Sequence, residues 1–177
     1  METFEELFED TLKDIYYAEK AILKALPKMA KKASSEDLSA AFTAHYKETE
    51  QQVARLEEIF EGMGKKARGK KCPAIDGILE EGAEIMKEAK DDTIRDAGML
   101  AAAQAVEHYE ISRYGTLKAW AEKLGLTDAA SLLDETLQEE KATDEKLTSL
   151  ADSEINIEAM EGDDEEKKSR PGKKKRI

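Results

Sequence analysis

The sequence predicts an all-α protein organised as a bundle of four long helices. Hydrophobic residues make up 40% and charged residues 38% of the 177 positions, a mixture rich in Ala, Glu, Lys and Leu that suits long amphipathic helices. Apolar residues recur at steps of three and four, and no stretch shows the alternation of a half-buried strand. Only three prolines are present, and the glycines mark ends of elements rather than frequent turns. The length suits one domain with a single core.

The first helix is expected from about Thr3, a suitable cap followed by Glu5 and Glu6, to about Lys32. Its apolar stripe runs through Phe4, Leu7, Phe8, Leu12, Ile15, Ile22, Leu26 and Met29, with Pro27 expected to kink it near its end. Ser34 or Ser35 caps the second helix, whose stripe includes Leu38, Phe42, Leu56 and Ile59 and which stops at Gly62 or Gly64. A basic, glycine-containing loop follows, then a shorter helix over about 75–90. The third long helix is expected from about Thr93 to Leu124, where Gly125 breaks it. Thr127 is read as the cap of the fourth, which continues to about Ile155. Residues 1–160 form the expected domain, and 161–177 read as a charged, disordered tail.

Two short links make two antiparallel hairpins, and the long middle connection lets the chain travel back along the bundle. One long crossover, here holding a short extra helix, is the ferritin-like topology. An up-down bundle with an excursion fits the same connectivity.

Charge narrows the function classes. A formal net charge of −12 argues against a nucleic-acid partner, which needs a basic face. No apolar run approaches membrane-spanning length, so no membrane partner is expected. Cys72 is the single cysteine and has no partner for an internal disulfide, and the first residues lack the pattern of a signal peptide. A cytoplasmic location is the expectation.

Each apolar stripe turns polar at mid-helix. On the first helix Glu19 falls between Ile15 and Ile22. On the second the inward series passes through His45, Glu48 or Thr49, and Gln52. On the third it passes through Glu107 and Glu110, and on the fourth through Glu140 and Asp144. The heights match as well. Glu19 and Glu48 lie equally far from the first short link, and Glu110 and Glu140 equally far from Gly125. Each is about 15 residues, or about 22 Å, from its turn. Six acids converging at one level of a core would repel one another and resist burial unless neutralised. No Lys or Arg falls on these inward positions, so bound cations are the simplest answer, and a carboxylate-rich site with some nitrogen suits Fe or Mn.

At these residues the sequence resembles the YciF-type bacterial stress proteins, a ferritin-like, rubrerythrin-related family. The likeness rests on Asp14-Ile-Tyr-Tyr-Ala-Glu19-Lys20, His45-Tyr-Lys-Glu48-Thr49, Cys72-Pro-Ala-Ile-Asp-Gly77, Glu107-His-Tyr-Glu110 followed by Tyr114-Gly-Thr-Leu117, and Leu137-Gln-Glu-Glu140-Lys-Ala-Thr-Asp144. It covers about Thr3 to Ala151 and leaves out the tail. The resemblance implies a cytoplasmic bacterial homodimer linked to stress, with a dinuclear metal site in the bundle. The sequence departs from the wider ferritin-like pattern of two Glu-x-x-His pairs. Gln51 follows Glu48 and Thr143 follows Glu140 at that spacing, while His45 precedes Glu48.

The expected metal ligands are therefore Glu19, His45, Glu48, Glu107, Glu110, Glu140 and Asp144, with Glu48 and Glu140 as bridging candidates. His45 and Gln52 also suit a role as hydrogen-bond partners of a ligand. Two Fe ions, or alternatively Mn or a mixed pair, are the implied cofactors. Tyr16, Tyr17, Tyr109 and Tyr114 are read as core fillers with hydroxyls on carboxylates, His108 as a surface or structural residue, and Cys72 as uninvolved. Two functions fit: a redox di-metal protein acting on peroxide, dioxygen or Fe(II), and a non-enzymatic stress protein with a structural or vestigial metal site.

Overall fold

The computed structural model describes residues 1–161, and the expected tail from 162 onward lies outside the described residues. The elements are α1 (Phe4–Lys32), α2 (Glu36–Gly62), α3 (Pro73–Glu88), α4 (Asp92–Lys123) and α5 (Thr127–Leu150). A π-helical turn over Ala151–Ile155 extends α5, and helical backbone continues through 156–161. No strand occurs among the described residues.

Helix ends follow the local chemistry. Thr3 and Ser35 cap α1 and α2, their hydroxyls accepting from the amides of Glu6 and Leu38. Gly64 (φ 67°) and Gly125 (φ 73°) take the left-handed conformation that ends α2 and α4. Just past each, the amides of Lys65 and Leu126 reach back to the carbonyls of Phe60 and Ala121. Pro27 is accommodated inside α1, which continues to Lys32. One expectation fails here. Thr127 does not cap α5; it is the first helical residue, and Leu126 holds the cap position without a side-chain bond. The turn after Gly125 is so tight that the helix starts one residue before a hydroxyl could serve it.

Contacts at the two ends settle the topology. At one end the α1–α2 link meets the start of α4: buried Asp96 accepts from the amides of Ser34 and Ser35 and from the Ser34 hydroxyl. Ser35 also donates to Glu154 in the π-helical turn. At the other end Phe4 packs edge-on against Trp120, so the start of α1 meets the end of α4. Helices α2 and α4 thus run parallel, and the connection between them spans the bundle, as the ferritin-like expectation requires. It crosses the α1 and α4 surface, where the Lys70 amide donates to the Lys13 carbonyl and Gly69 lies against Tyr17. Helix α3 then packs closely on α4. A Cβ at Gly98 would sit 2.3 Å from Ile85 Cγ2.

The core is one continuous cluster fed by all five helices, with Phe8, Leu12, Leu38, Phe60, Met99, Leu117 and Leu133 fully enclosed. Its middle is not apolar.

Candidate metal centre

Halfway along the bundle, Glu19 on α1, Glu107 and Glu110 on α4 and Glu140 on α5 replace apolar residues in the core, and none is more than 1% exposed. His45 on α2 joins them at 5%. Each of these positions continues its helix's buried stripe, so the spacing that buries leucines also buries the acids. One donor atom each from His45, Glu107, Glu110 and Glu140 lies within 4.8 Å of the others. In an octahedral site with bonds of about 2.1 Å, opposite ligands stand about 4.2 Å apart, so only small movements would close this group on an ion.

The polar atoms here lack the partners that buried groups normally have. Both oxygens of Glu110 and of Glu140, Glu19 Oε2, Glu107 Oε2 and both His45 nitrogens make no hydrogen bond. His45 Nε2 lies 3.3 Å from Glu107 Oε1 without the alignment a hydrogen bond needs. Glu19 has one firm partner, the hydroxyl of fully buried Tyr114.

Burial pushes the acids toward their neutral forms. Glu19 is raised to about 8 by burial first and the Glu140 charge second, against the opposing Tyr114 hydroxyl and the neighbouring Glu110 carboxyl. Glu107 and Glu110 are held well above the usual carboxylate range, again by burial and then by Glu140. Glu140 is raised by burial, and the neighbouring Glu107, His45 and Gln52 offset part of the rise.

Two of the seven residues expected to face inward do not. Glu48 is 35% exposed and Asp144 is 23% exposed, each on the flank of its helix. The inward positions belong to Thr49 and Thr143, the adjacent residues. One residue on a helix is a rotation of about 100°. The matched heights hold, but the direction differs. Glu48 Oε2 accepts from the Thr143 hydroxyl at 3.3 Å and lies 3.9 Å from His45 Nδ1, at the rim of the acid group. Asp144 is held at the α4–α5 edge by Gln104 and by His108, whose Nε2 is 3.2 Å away. His108 is largely exposed, as expected.

The four tyrosine hydroxyls meet carboxylates as expected, but only Tyr16 and Tyr114 fill the core, Tyr17 and Tyr109 being half-buried against it. Tyr16, Tyr17, Tyr109 and Tyr114 donate to Glu57, Asp76, Asp14 and Glu19 respectively. Tyr109 also lies 3.1 Å from the sulfur of Cys72, which is buried and caps α3.

One cation near the centre escaped the sequence reading. Arg55 on α2 makes a two-pronged pair with Glu139 at 2.7 Å on each arm, and also reaches Glu135. Gln52, one turn earlier, donates to Glu139 at 3.1 Å. The signal was available: Arg55 follows Gln52 by three, so it continues the same face.

A four-helix bundle with one crossover and mid-helix carboxylates defines the ferritin-like class. Over residues 3–160 the chain matches the family described as "Domain of unknown function (DUF892)", and it belongs to that family, which lies in the ferritin-like superfamily. Protein YciF of Escherichia coli (strain K12) is 48% identical over 160 residues, spanning 90% of this chain and 96% of that protein. The crystal structure of the E. coli stress protein YciF superposes with a TM-score of 0.84, covering 88% of this chain and 99% of that one at 48% identity. YcfI from Rhodopseudomonas palustris superposes with a TM-score of 0.82 at 51% identity, covering 83% and 94%. Among the described residues, no helix is long and apolar enough to cross a membrane.

Proposed function

We propose that this chain is a cytoplasmic stress-response protein of the YciF type, a homodimer holding two iron ions, or alternatively manganese or a mixed pair, among the buried acids of each bundle. The pair would serve redox chemistry with peroxide, dioxygen or Fe(II). One observation carries the reading: four carboxylates, enclosed in a core and mostly without hydrogen-bond partners, share that space with an unpartnered histidine. Leaving such groups unsatisfied costs about 1–3 kcal/mol each, and more when charged. Four ionised carboxylates carry four negative charges, which two divalent cations balance. Oxygen donors with one imidazole suit iron and manganese.

A bound iron or manganese pair would supply changes of oxidation state and a Lewis acid for the oxidant. The chain's own part is to hold and enclose it. His45, Glu107, Glu110 and Glu140 would be the principal donors, with Glu19 fixed by Tyr114 beside them. Glu48 and Asp144, partly exposed at the rim, would take up a cation arriving from solvent or complete the second ion's ligands. Gln52, beside Glu140 and bonded to the Arg55-paired Glu139, steadies the α2–α5 side.

Anaerobic reconstitution with Fe(II), desalting and elemental analysis test this. About two ions per chain are expected in the unaltered protein, and the double variant Glu110→Gln/Glu140→Gln is expected to retain less than half of that content while staying folded by circular dichroism. No retained metal in the unaltered protein would sink the reading.

A second reading has its own support. The raised values of Glu19, Glu107 and Glu110 let a metal-free centre survive as neutral carboxyls. The protein would then be structural, and so would any bound metal. It predicts that removing metal by chelation lowers the melting temperature while the reconstituted protein turns over neither peroxide nor dioxygen, whereas the redox reading predicts turnover.

A further inference from the structure

Beside the acid centre, toward the α1–α2 link, lies a small cavity that the ligand set does not use. Its walls are carbon: Ile22 and Leu26 on α1, Phe42 on α2, Ala103 and Val106 on α4 and Leu147 on α5. Its inner end is formed by His45, Glu107 and Thr143, so it opens onto the centre itself. The room for the centre of a water-sized sphere is about 20 Å³. On that measure about 10–15 Å³ admits one water, so this space takes one very small molecule and no more.

We infer that this cavity is a docking site for a small apolar molecule, dioxygen by class, held against His45 and Glu107 at the edge of the metal centre. The inference rests on the metal reading for its purpose, but on the cavity alone for its occupant. A water settles in a cavity only with about two to four polar partners. Thr143 already directs its hydroxyl to Glu48, and both His45 nitrogens and Glu107 Oε2 are enclosed beyond the reach of a water. What remains is a carbon-walled space, of the kind that stays dry and takes up apolar gases. Hydrogen peroxide, which needs hydrogen-bond partners at both oxygens, does not match these walls. The cavity therefore selects between the oxidants left open above.

Xenon, an apolar probe of similar bulk, tests the occupant without metal. Crystals of the full chain, freed of metal by chelation and pressurised with xenon, are expected to show one xenon between Ile22, Phe42 and Leu147. Ala103→Leu, which projects a larger side chain into the cavity, is expected to abolish that site. Leu147→Ala, which enlarges the cavity, is expected to strengthen xenon binding. An empty cavity in the unaltered protein, or a xenon site indifferent to Ala103→Leu, overturns the inference.

The second arm concerns the oxidant. With Fe(II) loaded anaerobically and metal content checked, Ala103→Leu is expected to slow oxidation by dioxygen about tenfold and to leave oxidation by hydrogen peroxide unchanged. Equal slowing of both, or of neither, overturns the assignment to dioxygen. If the chain retains no metal, the xenon arm still reads the cavity, so failure of the metal reading and failure of this one are separable.

Discussion

Glu19 shows what a single side chain contributes at the residue scale. In water its carboxyl would be ionised from about pH 4.5 upward, but burial and the neighbouring Glu140 hold it protonated in the fold to about pH 8. Between those two values the folded state keeps a proton that the unfolded state has lost. Its stabilising contribution is therefore full below about 4.5 and is lost as pH rises toward 8. Glu107 and Glu110 act in the same direction. The metal-free protein is accordingly expected to melt at lower temperature at pH 8 than at pH 5.5, by differential scanning calorimetry. A metal-loaded sample should show a smaller drop, because bound cations take the place of those protons. A metal-free melting temperature that climbs over this interval would contradict the assignment.

At the scale of the element, helix ends are where local chemistry meets topology. Asp96 is nearly fully buried, yet it accepts from two backbone amides and a hydroxyl of the α1–α2 link. Its negative charge also lies at the start of α2, where the helix dipole favours it. Asp96→Ala would strand the amides of Ser34 and Ser35 and is expected to destabilise the fold by about 2–4 kcal/mol. In urea the midpoint should fall with little change in slope. The rest of this scale was partly visible beforehand. Periodicity located all four long helices and found Glu19, Glu107, Glu110 and Glu140, because a carboxylate interrupting an apolar stripe is conspicuous. It misplaced Glu48 and Asp144 because Thr49 and Thr143, one position along, satisfy the same spacing. A threonine inside a core draws less notice than an acid. Arg55 was overlooked for a related reason: its role depends on the facing helix, and only packing brings Glu135 and Glu139 to it.

The whole molecule adds features that spacing does not encode. Periodicity allowed an up-down bundle as well as a crossover; the Asp96 contacts at one end and the Phe4–Trp120 pair at the other choose the crossover. The seating of α3 on α4 through Gly98 likewise depends on a close approach that no stripe announces. Assembly belongs to this scale too. The proposed homodimer should sediment with twice the 19.7 kDa mass of one chain, and a monomer at micromolar concentration would remove that part of the proposal.

The parallel course of α2 and α4 has a consequence for the order in which the chain becomes functional. Tyr114 and Glu19, joined by a hydrogen bond, are 95 residues apart in sequence, and Glu140 lies farther along still. Neither hairpin alone contains the group: α1 and α2 bring one acid and the histidine, and α4 and α5 bring the others. Contacts so distant form late, after the entropy of closing a long segment has been overcome. During synthesis, the first hairpin can leave the ribosome without ever bringing these carboxylates face to face. The full donor group forms only when the last helix arrives with Glu140, so a chain that lacks α5 holds an incomplete centre.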